Sequence, residues 1–334
     1  MLASLDAWPT RSRAELQVAL RSAGREGTVK MRFERAGETL ERSVTAVHAD
    51  TEDGVLYDAV ERDAVRLRTM IDRPAAPGRR PAILFVQGLS VSTMDFAFPD
   101  LFRGWRDEGF VTMRLEKRGV GDSEGEPSEA SDFWTEVADV RAALLALSRY
   151  EFVDPDAVFV FGHSVGGMIA PALDAGDLLR GYMIYGASAA PWFECLEASA
   201  RRQWALRGAE DVETRVQALH EEMRTQAVID GRSALYHRQL DEAELADAWS
   251  RVARPVVVLH GEYDWVVGED EARRIARLAG GTFLPLPRLD HLFSAHDSLE
   301  ESSKHYGTGR FGADLVRETC AWMRSAPPVS SPRG

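Results

Sequence analysis

The sequence has few cysteines, no excess of basic residues and no long apolar run, and each absence excludes a class of protein. Its only cysteines, Cys195 and Cys320, lie far apart and in no metal-ligand spacing, so neither a disulfide framework nor a zinc site is predicted. With 53 acidic and 40 basic residues the formal charge is −13, which opposes binding to nucleic acid or anionic lipid.

The chain also lacks the signals of a membrane or secreted protein. No apolar stretch approaches the roughly 20 residues that cross a bilayer. The first residues, MLASLDAWPTRSR, have no continuous apolar segment of the kind found in a signal peptide. We therefore expect no membrane partner and a cytoplasmic location. The 334 residues, 45% of them hydrophobic, suffice for one large domain with a small appendage.

Residues 1–50 carry a pattern of their own. Leu16 and Leu20 stand at helical spacing within residues 13–23, and Gly24 follows where a C-terminal cap belongs, which predicts a short helix. The segment TVKMRFERAGETLERSVTAV then alternates apolar and charged residues on both sides of AGE, which predicts a β-hairpin.

This helix and hairpin resemble the second half of a PDZ domain. In that family the first half carries the carboxylate-binding loop and the strand that pairs with a peptide, and no counterpart of it precedes Met1. We therefore expect residues 1–50 to be a small α+β segment with a structural or dimerising role rather than a peptide binder. A homodimer would cover the apolar surface and the hairpin edge that such a segment leaves open.

From about residue 51 short apolar runs alternate with helical stretches. Six of these runs are AILFVQG, FVTMRLE, AVFVFGH, GYMIYGAS, PVVVLHGEYD and GTFLPLP. Such runs are typical of buried parallel strands, so residues 51–326 are predicted to form an α/β domain, a mostly parallel sheet flanked by helices. Residues 189–251 have helical spacing and no strand run, which predicts a helical cap, and residues 327–334 are expected to be a flexible tail.

The stretch FGHSVGG places a serine between a buried strand and a helix. Residues 162–166 fit G-x-S-x-G, in which a sharp turn lifts the hydroxyl of Ser164 clear of the sheet and small neighbours let the backbone approach closely. A serine nucleophile needs a base to take its proton and a further group to orient that base. Ser164 is therefore the candidate nucleophile, and its partners are to be sought in loops that follow later strands.

Asp264 and His291 are the candidate acid and base. Asp264 ends the run PVVVLHGEYD, and His291 lies in the loop after the next strand run. Glu262 and Asp290 are alternative carboxylates, but Glu262 is closer to its strand end and Asp290 adjoins His291, where reaching the ring is awkward. Four other histidines are weaker candidates for the base: His163, His260, His296 and His305.

The order Ser164, Asp264, His291 is that of the α/β-hydrolases, which the chain resembles over roughly residues 52–325. The resemblance implies that the three residues form a catalytic triad. It also implies two backbone N–H donors for an oxyanion, one on Val165, directly after the nucleophile, and one in the loop after an early strand.

The second oxyanion donor is expected from VQGLS, with Leu89 following Gly88. Gln87 stands where that family often has a histidine, which keeps the backbone donor but changes what can hold the loop. The stretch EKRGVGDSEG resembles the family's D-x-R-G-x-G-x-S-x-G loop, with Glu116 replacing the aspartate. Arg118 is expected to join this loop to its neighbours through its planar fork of donors, and binding an anion is the alternative role.

Aromatic residues near the expected cleft are Phe133, Trp134, Trp192, Phe193 and Trp204. Some should line an apolar pocket and others the core, because a cap helix buries an aromatic stripe with or without a ligand. The candidate substrate-binding residues are Gln87, Trp134, Trp192 and Phe193.

These observations predict a serine hydrolase that uses no cofactor and no metal. It would cleave an ester, thioester or amide of a small molecule through an acyl-enzyme, and the length of the cap favours a medium-sized apolar acyl group. An acyltransferase or cyclase, or a carbon–carbon bond hydrolase, would use the same triad. A binding or scaffold protein with an idle triad is a third alternative, because a fold alone does not establish a function.

Overall fold

A computed structural model describes residues 2–10, 19, 27–35, 37–46, 51–173 and 175–328. The helix predicted for residues 13–23 lies outside the described residues except for Ala19, which is buried. Of the predicted tail, only residues 327 and 328 are described.

The N-terminal residues form an antiparallel sheet of four strands: β1 (Leu2–Leu5), β2 (Trp8–Pro9), β3 (Gly27–Arg35) and β4 (Glu38–Ala46). Their order is β2-β1-β3-β4. The predicted hairpin is present, since β3 and β4 pair from Gly27 opposite Ala46 to Arg35 opposite Glu38. The PDZ resemblance and the homodimer stay predictions.

Twelve further strands follow: β5 (Val55–Arg62), β6 (Val65–Asp72), β7 (Arg80–Val86), β8 (Val111–Leu115), β9 (Val153–His163), β10 (Gly181–Tyr185), β11 (Val228–Ile229), β12 (Arg232–Ser233), β13 (Val256–Gly261), β14 (Thr282–Leu286), β15 (Ser294–Ala295) and β16 (Arg310–Phe311). Eight of them form the central sheet in the order β14-β13-β10-β9-β7-β8-β6-β5. Six run parallel, so the prediction of a mostly parallel sheet is confirmed.

Strands β5 and β6 are antiparallel additions at one edge that the sequence analysis did not predict. From Val55 to Ala59 partly exposed residues alternate with exposed ones, because β5 forms the edge of the sheet. Such alternation is weaker evidence for a strand than the continuous apolar runs of the buried strands.

The helices are α1 (Pro99–Asp107), α2 (Phe133–Leu147), α3 (Val165–Ile169), α4 (Trp192–Leu206), α5 (Val212–Thr225), α6 (Ala234–Asp241), α7 (Leu245–Ser250), α8 (Glu269–Leu278), α9 (Leu299–Lys304) and α10 (Asp314–Ser325), with 3₁₀ turns at Ala170–Leu173 and Gly176–Leu178. They cover both faces of the central sheet. Alternate side chains of β7 show this: Leu84 packs in the core with α2 and α8, whereas Phe85 packs in the core with α1 and α10.

Between β10 and β13 the chain forms α4 to α7 and the short hairpin of β11 and β12. We call residues 189–251 the cap. The hairpin was not predicted, since two-residue strands leave no periodic signal. It lies against the loop before α2, where Ser233 Oγ donates to the Ser131 carbonyl oxygen at 2.8 Å.

The contact between α1 and α10 provides a test of this packing. Trp105 is fully buried, and its indole N–H donates to Thr319 Oγ1 at 2.8 Å. Thr319→Val keeps the volume but leaves the buried indole donor unpaired, so we expect the free energy of unfolding to fall by about 1–3 kcal/mol in urea titrations. Thr308→Val, at an exposed position, is the control. Equal stability of the two variants would contradict the prediction.

Candidate active site

Ser164 occupies a strained turn between β9 and α3. Its backbone has φ 56° and ψ −126°, a conformation that costs free energy in any residue other than glycine. The neighbouring elements hold it there, because its N–H donates to the Tyr185 carbonyl oxygen of β10 at 2.9 Å. The turn carries Ser164 past the carboxyl end of the parallel strands, where this class of sheet places its sites.

Two glycines allow the backbone to pack closely around this turn. A Cβ atom on Gly166 would lie 2.0 Å from the Val86 carbonyl oxygen, and one on Gly88 would lie 2.8 Å from Ser164 Cβ. Neither position has room for a side chain. The end of β7 and the loop after it therefore rest directly on the turn.

His291 and Asp264 form a buried pair. Asp264 Oδ2 lies 2.8 Å from His291 Nδ1, and Asp264 Oδ1 accepts from the N–H groups of Val266 and Val267 at 2.9 and 3.0 Å. Burial acts to raise the pKa of Asp264, but the charge and hydrogen bond of His291 and the backbone donor of Val267 outweigh it and lower that pKa. The carboxylate thus stays ionised beside the imidazole.

The His291 loop lies against the Ser164 turn. His163 Nε2 is 2.8 Å from the His291 carbonyl oxygen, and the two rings are 4.9 Å apart. In this conformation the Ser164 hydroxyl makes no hydrogen bond with the His291 ring within the part of the chain that the structure describes. Hydrogen bonds of this kind are often loose without substrate and tighten when it binds.

The alternative acid and base candidates have other partners. His296 Nε2 lies 3.0 Å from Asp290 Oδ2, and Asp290 also accepts from the backbone N–H groups of Leu292 and Ser294 at 2.8 Å. This second pair shapes the His291 loop from behind. Glu262 accepts from the Arg288 N–H at 2.9 Å, which joins Glu262 to the turn that follows β14.

The two residues predicted to donate to an oxyanion, Val165 and Leu89, adjoin the Ser164 turn. Val165 is the first residue of α3, and Leu89 follows Gly88, the residue that packs against the serine. Over the described ranges, neither N–H donates to a protein acceptor.

Three buried charged side chains, which the sequence analysis did not single out, hold the loop that carries Leu89. Lys117 Nζ donates to the Gly88 carbonyl oxygen, and Arg232 Nε donates to the Leu89 carbonyl oxygen at 3.2 Å. Glu136 lies between them, 3.0 Å from Lys117 Nζ and 2.7 Å from Arg232 Nη1. We call Lys117, Glu136 and Arg232 the buried charge cluster.

Burial and the nearby Arg232 lower the pKa of Lys117 to about 7, against the opposing effect of Glu136. Burial acts to raise the pKa of Glu136, but the charges of Lys117 and Arg232 outweigh it and lower that pKa. Lys117 follows β8 one residue before the predicted Arg118, and Arg232 lies in the unpredicted hairpin. A lysine two residues after the end of the buried strand β8 is the one sequence feature that could have indicated the cluster.

Gln87 lies beside the buried charge cluster. Together with Lys117, Glu136 and Arg232 it lines a cavity of about 20 Å³. That volume accommodates a single water molecule and is too small for an acyl group.

The EKRGVGDSEG loop is held as its residue types predict. Arg118 makes a two-pronged contact with Asp139 of α2, with its Nε 2.5 Å from Oδ2 and its Nη2 2.8 Å from Oδ1. Glu116 is fully buried and accepts from the Thr93 hydroxyl and, at 2.9 Å, from the Asp122 N–H. Arg118 thus has the joining role that was predicted.

The cap also contacts the loop of the candidate acid. Arg202 of α4 donates to the carbonyl oxygens of Trp265 and Val266 at 3.2 and 2.7 Å. The N–H of that same Val266 donates to Asp264. One arginine of the cap thus supports the acid loop, and another, Arg232, supports the Leu89 loop.

The aromatic candidates divide between core and surface. Trp192 is buried at the start of α4, and its Nε1 donates to His237 Nδ1 at 2.8 Å. Phe193 is partly buried against the same core. Trp134 is 46% exposed and lines a groove of about 740 Å³ with residues of α7 and the 3₁₀ turns, a set that includes none of the candidate triad.

The described residues contain neither a metal-binding cluster nor a membrane-spanning helix. In those ranges no three or more histidine, cysteine, aspartate or glutamate side chains are grouped so that they could hold a metal ion. None of the helices described is both long and apolar enough to cross a membrane.

Known proteins that resemble this chain in sequence and in structure identify its fold. The protein has the α/β-hydrolase fold. The family described as serine aminopeptidase, S33, matches residues 78–183, from just before β7 into β10. A solved structure described as DcsB in complex with its substrate analogue superposes with a TM-score of 0.60 at 16% identity, covering 83% of this chain and 100% of that chain.

Two curated proteins are similar in sequence. Esterase EstD of Thermotoga maritima is 24% identical over 264 residues, which are 75% of this chain and 63% of that protein. Polyketide transferase ATR5 of Stachybotrys chlorohalonatus is 32% identical over 99 residues, 29% of this chain and 33% of that protein. The chain thus spans less than two thirds of either relative. The family match and the superposition agree on the α/β-hydrolase fold.

His163, beside the candidate nucleophile, provides a test of the site's burial. Burial and the neighbouring His291 lower the pKa of His163 to about 3. An unfolded chain binds this proton from about pH 6.5 downward, so the folded state binds fewer protons and loses stability as the pH falls toward 3. This one group should lower the free energy of unfolding by about 2 kcal/mol between pH 7.5 and about pH 5.

His163→Gln keeps a donor for the His291 carbonyl oxygen and removes the titration. In urea titrations its free energy of unfolding should therefore depend less on pH than that of the wild type. His220→Gln, with an exposed side chain, is the control and should follow the wild type. If His163→Gln and the wild type lost the same free energy of unfolding between pH 7.5 and about pH 5, the prediction that His163 stays neutral in the folded protein would be wrong.

Proposed function

We propose that the protein is a serine esterase that forms an acyl-enzyme at Ser164. The observation that carries the proposal is the strained turn of Ser164 with the His291–Asp264 pair packed against it. His291 Nδ1 is 2.8 Å from the carboxylate, which leaves Nε2 for the serine hydroxyl. A neutral imidazole oriented in this way can take the serine proton while Oγ attacks an ester carbonyl.

The reaction then follows from the positions of the groups. Attack by Ser164 Oγ forms a tetrahedral intermediate, and the N–H groups of Leu89 and Val165 donate to its oxyanion. His291 returns the proton to the leaving alcohol, and the acyl group stays on Ser164. Water, deprotonated by the same imidazole, then attacks the acyl carbonyl. His291 returns that proton to Ser164 Oγ as the bond between Oγ and the acyl carbon breaks and the acid leaves. Asp264 stabilises the imidazolium at each step and stays ionised because its pKa is lowered.

The substrate we propose is a small-molecule ester with a medium-sized apolar acyl group, with thioesters and amides as related substrates. Trp192 and Phe193 begin α4 directly after the loop that follows β10, and Ser164 is bonded to that strand through Tyr185. A cap element starting there can exclude water and shape an apolar pocket. The cytoplasmic location and the PDZ-like N-terminal segment stay predictions.

Transfer of the acyl group to a nucleophile other than water is the second candidate function. The similarity to polyketide transferase ATR5 over 99 residues favours it. The same acyl-enzyme serves both reactions, and the choice depends on which nucleophile enters after the leaving group departs. Product analysis with added alcohols or amines distinguishes them. Carbon–carbon bond hydrolysis and a non-catalytic role stay alternatives without a specific observation in their favour.

Substitution of the triad tests the proposed function. Ser164→Ala should abolish labelling by a fluorophosphonate probe and the hydrolysis of p-nitrophenyl esters. His291→Ala should lower kcat by about 10³-fold or more, and Asp264→Asn by a similar factor, because members of a triad act as a unit.

The second Asp–His pair provides the matched control for these variants. His296→Gln removes an imidazole that is bonded to Asp290, and we expect it to keep kcat within about tenfold of the wild type. Labelling that survives in Ser164→Ala would identify another nucleophile. A larger loss of kcat in His296→Gln than in His291→Ala would show that His296, and not His291, is the base.

The acyl preference has its own test, a series of p-nitrophenyl esters from acetyl to dodecanoyl. Phe193→Ala should raise KM for medium and long chains by about tenfold, because a few apolar contacts with the acyl chain are lost. Hydrolysis of the acetyl ester should change little. Trp134→Ala, at the exposed groove, should leave every chain length unchanged. Equal losses on all esters in Phe193→Ala would mean that Phe193 supports the fold and not the pocket.

A further inference from the structure

The peptide bond between Gly88 and Leu89 carries an N–H group that the proposed function assigns to the oxyanion. The oxygen of this same peptide, that of Gly88, accepts a hydrogen bond from Lys117 Nζ. A trans peptide bond is planar, and its C=O and N–H groups point in opposite directions. No cis peptide bond occurs among the described residues. A donor held at the carbonyl end therefore sets the direction of the Leu89 N–H.

The next peptide unit is held from the cap. Arg232 Nε donates to the Leu89 carbonyl oxygen at 3.2 Å, while its Nη1 lies 2.7 Å from Glu136 Oε2. The other oxygen of Glu136 lies 3.0 Å from Lys117 Nζ. One carboxylate on α2 thus orients both cations, and the two cations hold consecutive carbonyl groups of one loop.

The burial of these charges indicates a role beyond packing. Lys117, Glu136 and Arg232 are 7%, 5% and 1% exposed. Removing a lysine and an arginine from water is costly, and apolar side chains of similar volume often fill such space at no loss of stability. A cation on a peptide carbonyl also polarises that peptide, which makes its N–H a stronger donor. The hydrogen bond from Lys117 thus both orients and polarises the peptide whose N–H, that of Leu89, would donate to the oxyanion.

We infer that Lys117 is a positioning residue for the Leu89 N–H donor and that Arg232 makes this positioning depend on the docked cap. The inference rests on the proposed function. Neither side chain acts on the substrate itself; both act through the Gly88–Leu89 peptide and the one that follows. The hydrogen bond from the Leu89 N–H strengthens as charge develops on the substrate oxygen. A misoriented N–H group therefore lowers kcat and leaves KM nearly unchanged.

Lys117→Met, which removes the donor and keeps most of the volume, tests the inference. With active sites counted by fluorophosphonate titration, kcat for a medium-chain ester should fall by about 10- to 100-fold. KM should stay within about twofold of the wild type. The affinity for an alkyl boronic acid, which forms a tetrahedral adduct on serine, should fall together with kcat. Arg232→Met should change both in the same direction by a smaller factor.

Lys304→Met is the matched control, because Lys304 is exposed and pairs with Glu300. It should keep the kcat and boronic acid affinity of the wild type. A Lys117→Met enzyme with unchanged kcat per active site and unchanged boronic acid affinity, whose free energy of unfolding alone is lower, would overturn the inference.

If Lys117→Met does not accumulate as folded protein, Lys117→Gln takes its place under the same criteria, because its amide keeps a polar group beside Glu136 in the buried site. A wild-type protein without Ser164-dependent labelling or ester hydrolysis would overturn the proposed function and this inference together. An active wild type with an unaltered Lys117 variant overturns the inference alone.

Discussion

The turn at Ser164 is the constraint on which the rest of the site depends. A residue with a side chain holds a positive φ there because β9, β10 and the end of β7 surround it. Gly166 lets the Val86 carbonyl group approach to a distance that no Cβ atom permits, and Gly88 brings the following loop against the serine. The strain is tolerated because a well-packed sheet on both sides leaves the turn no other conformation.

The loops around that turn are held by cations bonded to main-chain carbonyl groups. Lys117 and Arg232 hold the loop that carries Leu89, and Arg202 holds the loop that carries Asp264. A loop lacks the backbone hydrogen bonds of a helix or a sheet, so its buried carbonyl groups need other donors. In these two loops the donors are side chains. Because both arginines belong to the cap, the cap helps to support the site as well as covering the sheet.

Much of the fold and part of the candidate site follow from local patterns. Continuous apolar runs predicted the parallel strands, since a strand buried on both faces needs apolar residues throughout. The glycines around Ser164 indicated the turn, and the order of Ser164, Asp264 and His291 indicated which loops to compare. The edge strand β5 was missed because it is half exposed, and β6, which is mostly buried, because Arg66 and Arg68 interrupt its apolar residues. The cap hairpin was missed because its two-residue strands are too short to show a period.

Local sequence patterns sufficed to predict the α/β class, the strand-to-helix turn at Ser164 and the short list of acids and bases, because each depends on a few adjacent residues. The pairing of His291 with Asp264, and of His296 with Asp290, depends on how distant loops meet in the fold. Only the tertiary structure brings Lys117, Glu136 and Arg232 together from three separate segments. Their contacts arise when helix α2 and the cap pack against the sheet, and contacts between distant segments leave no spacing that a single sequence can reveal.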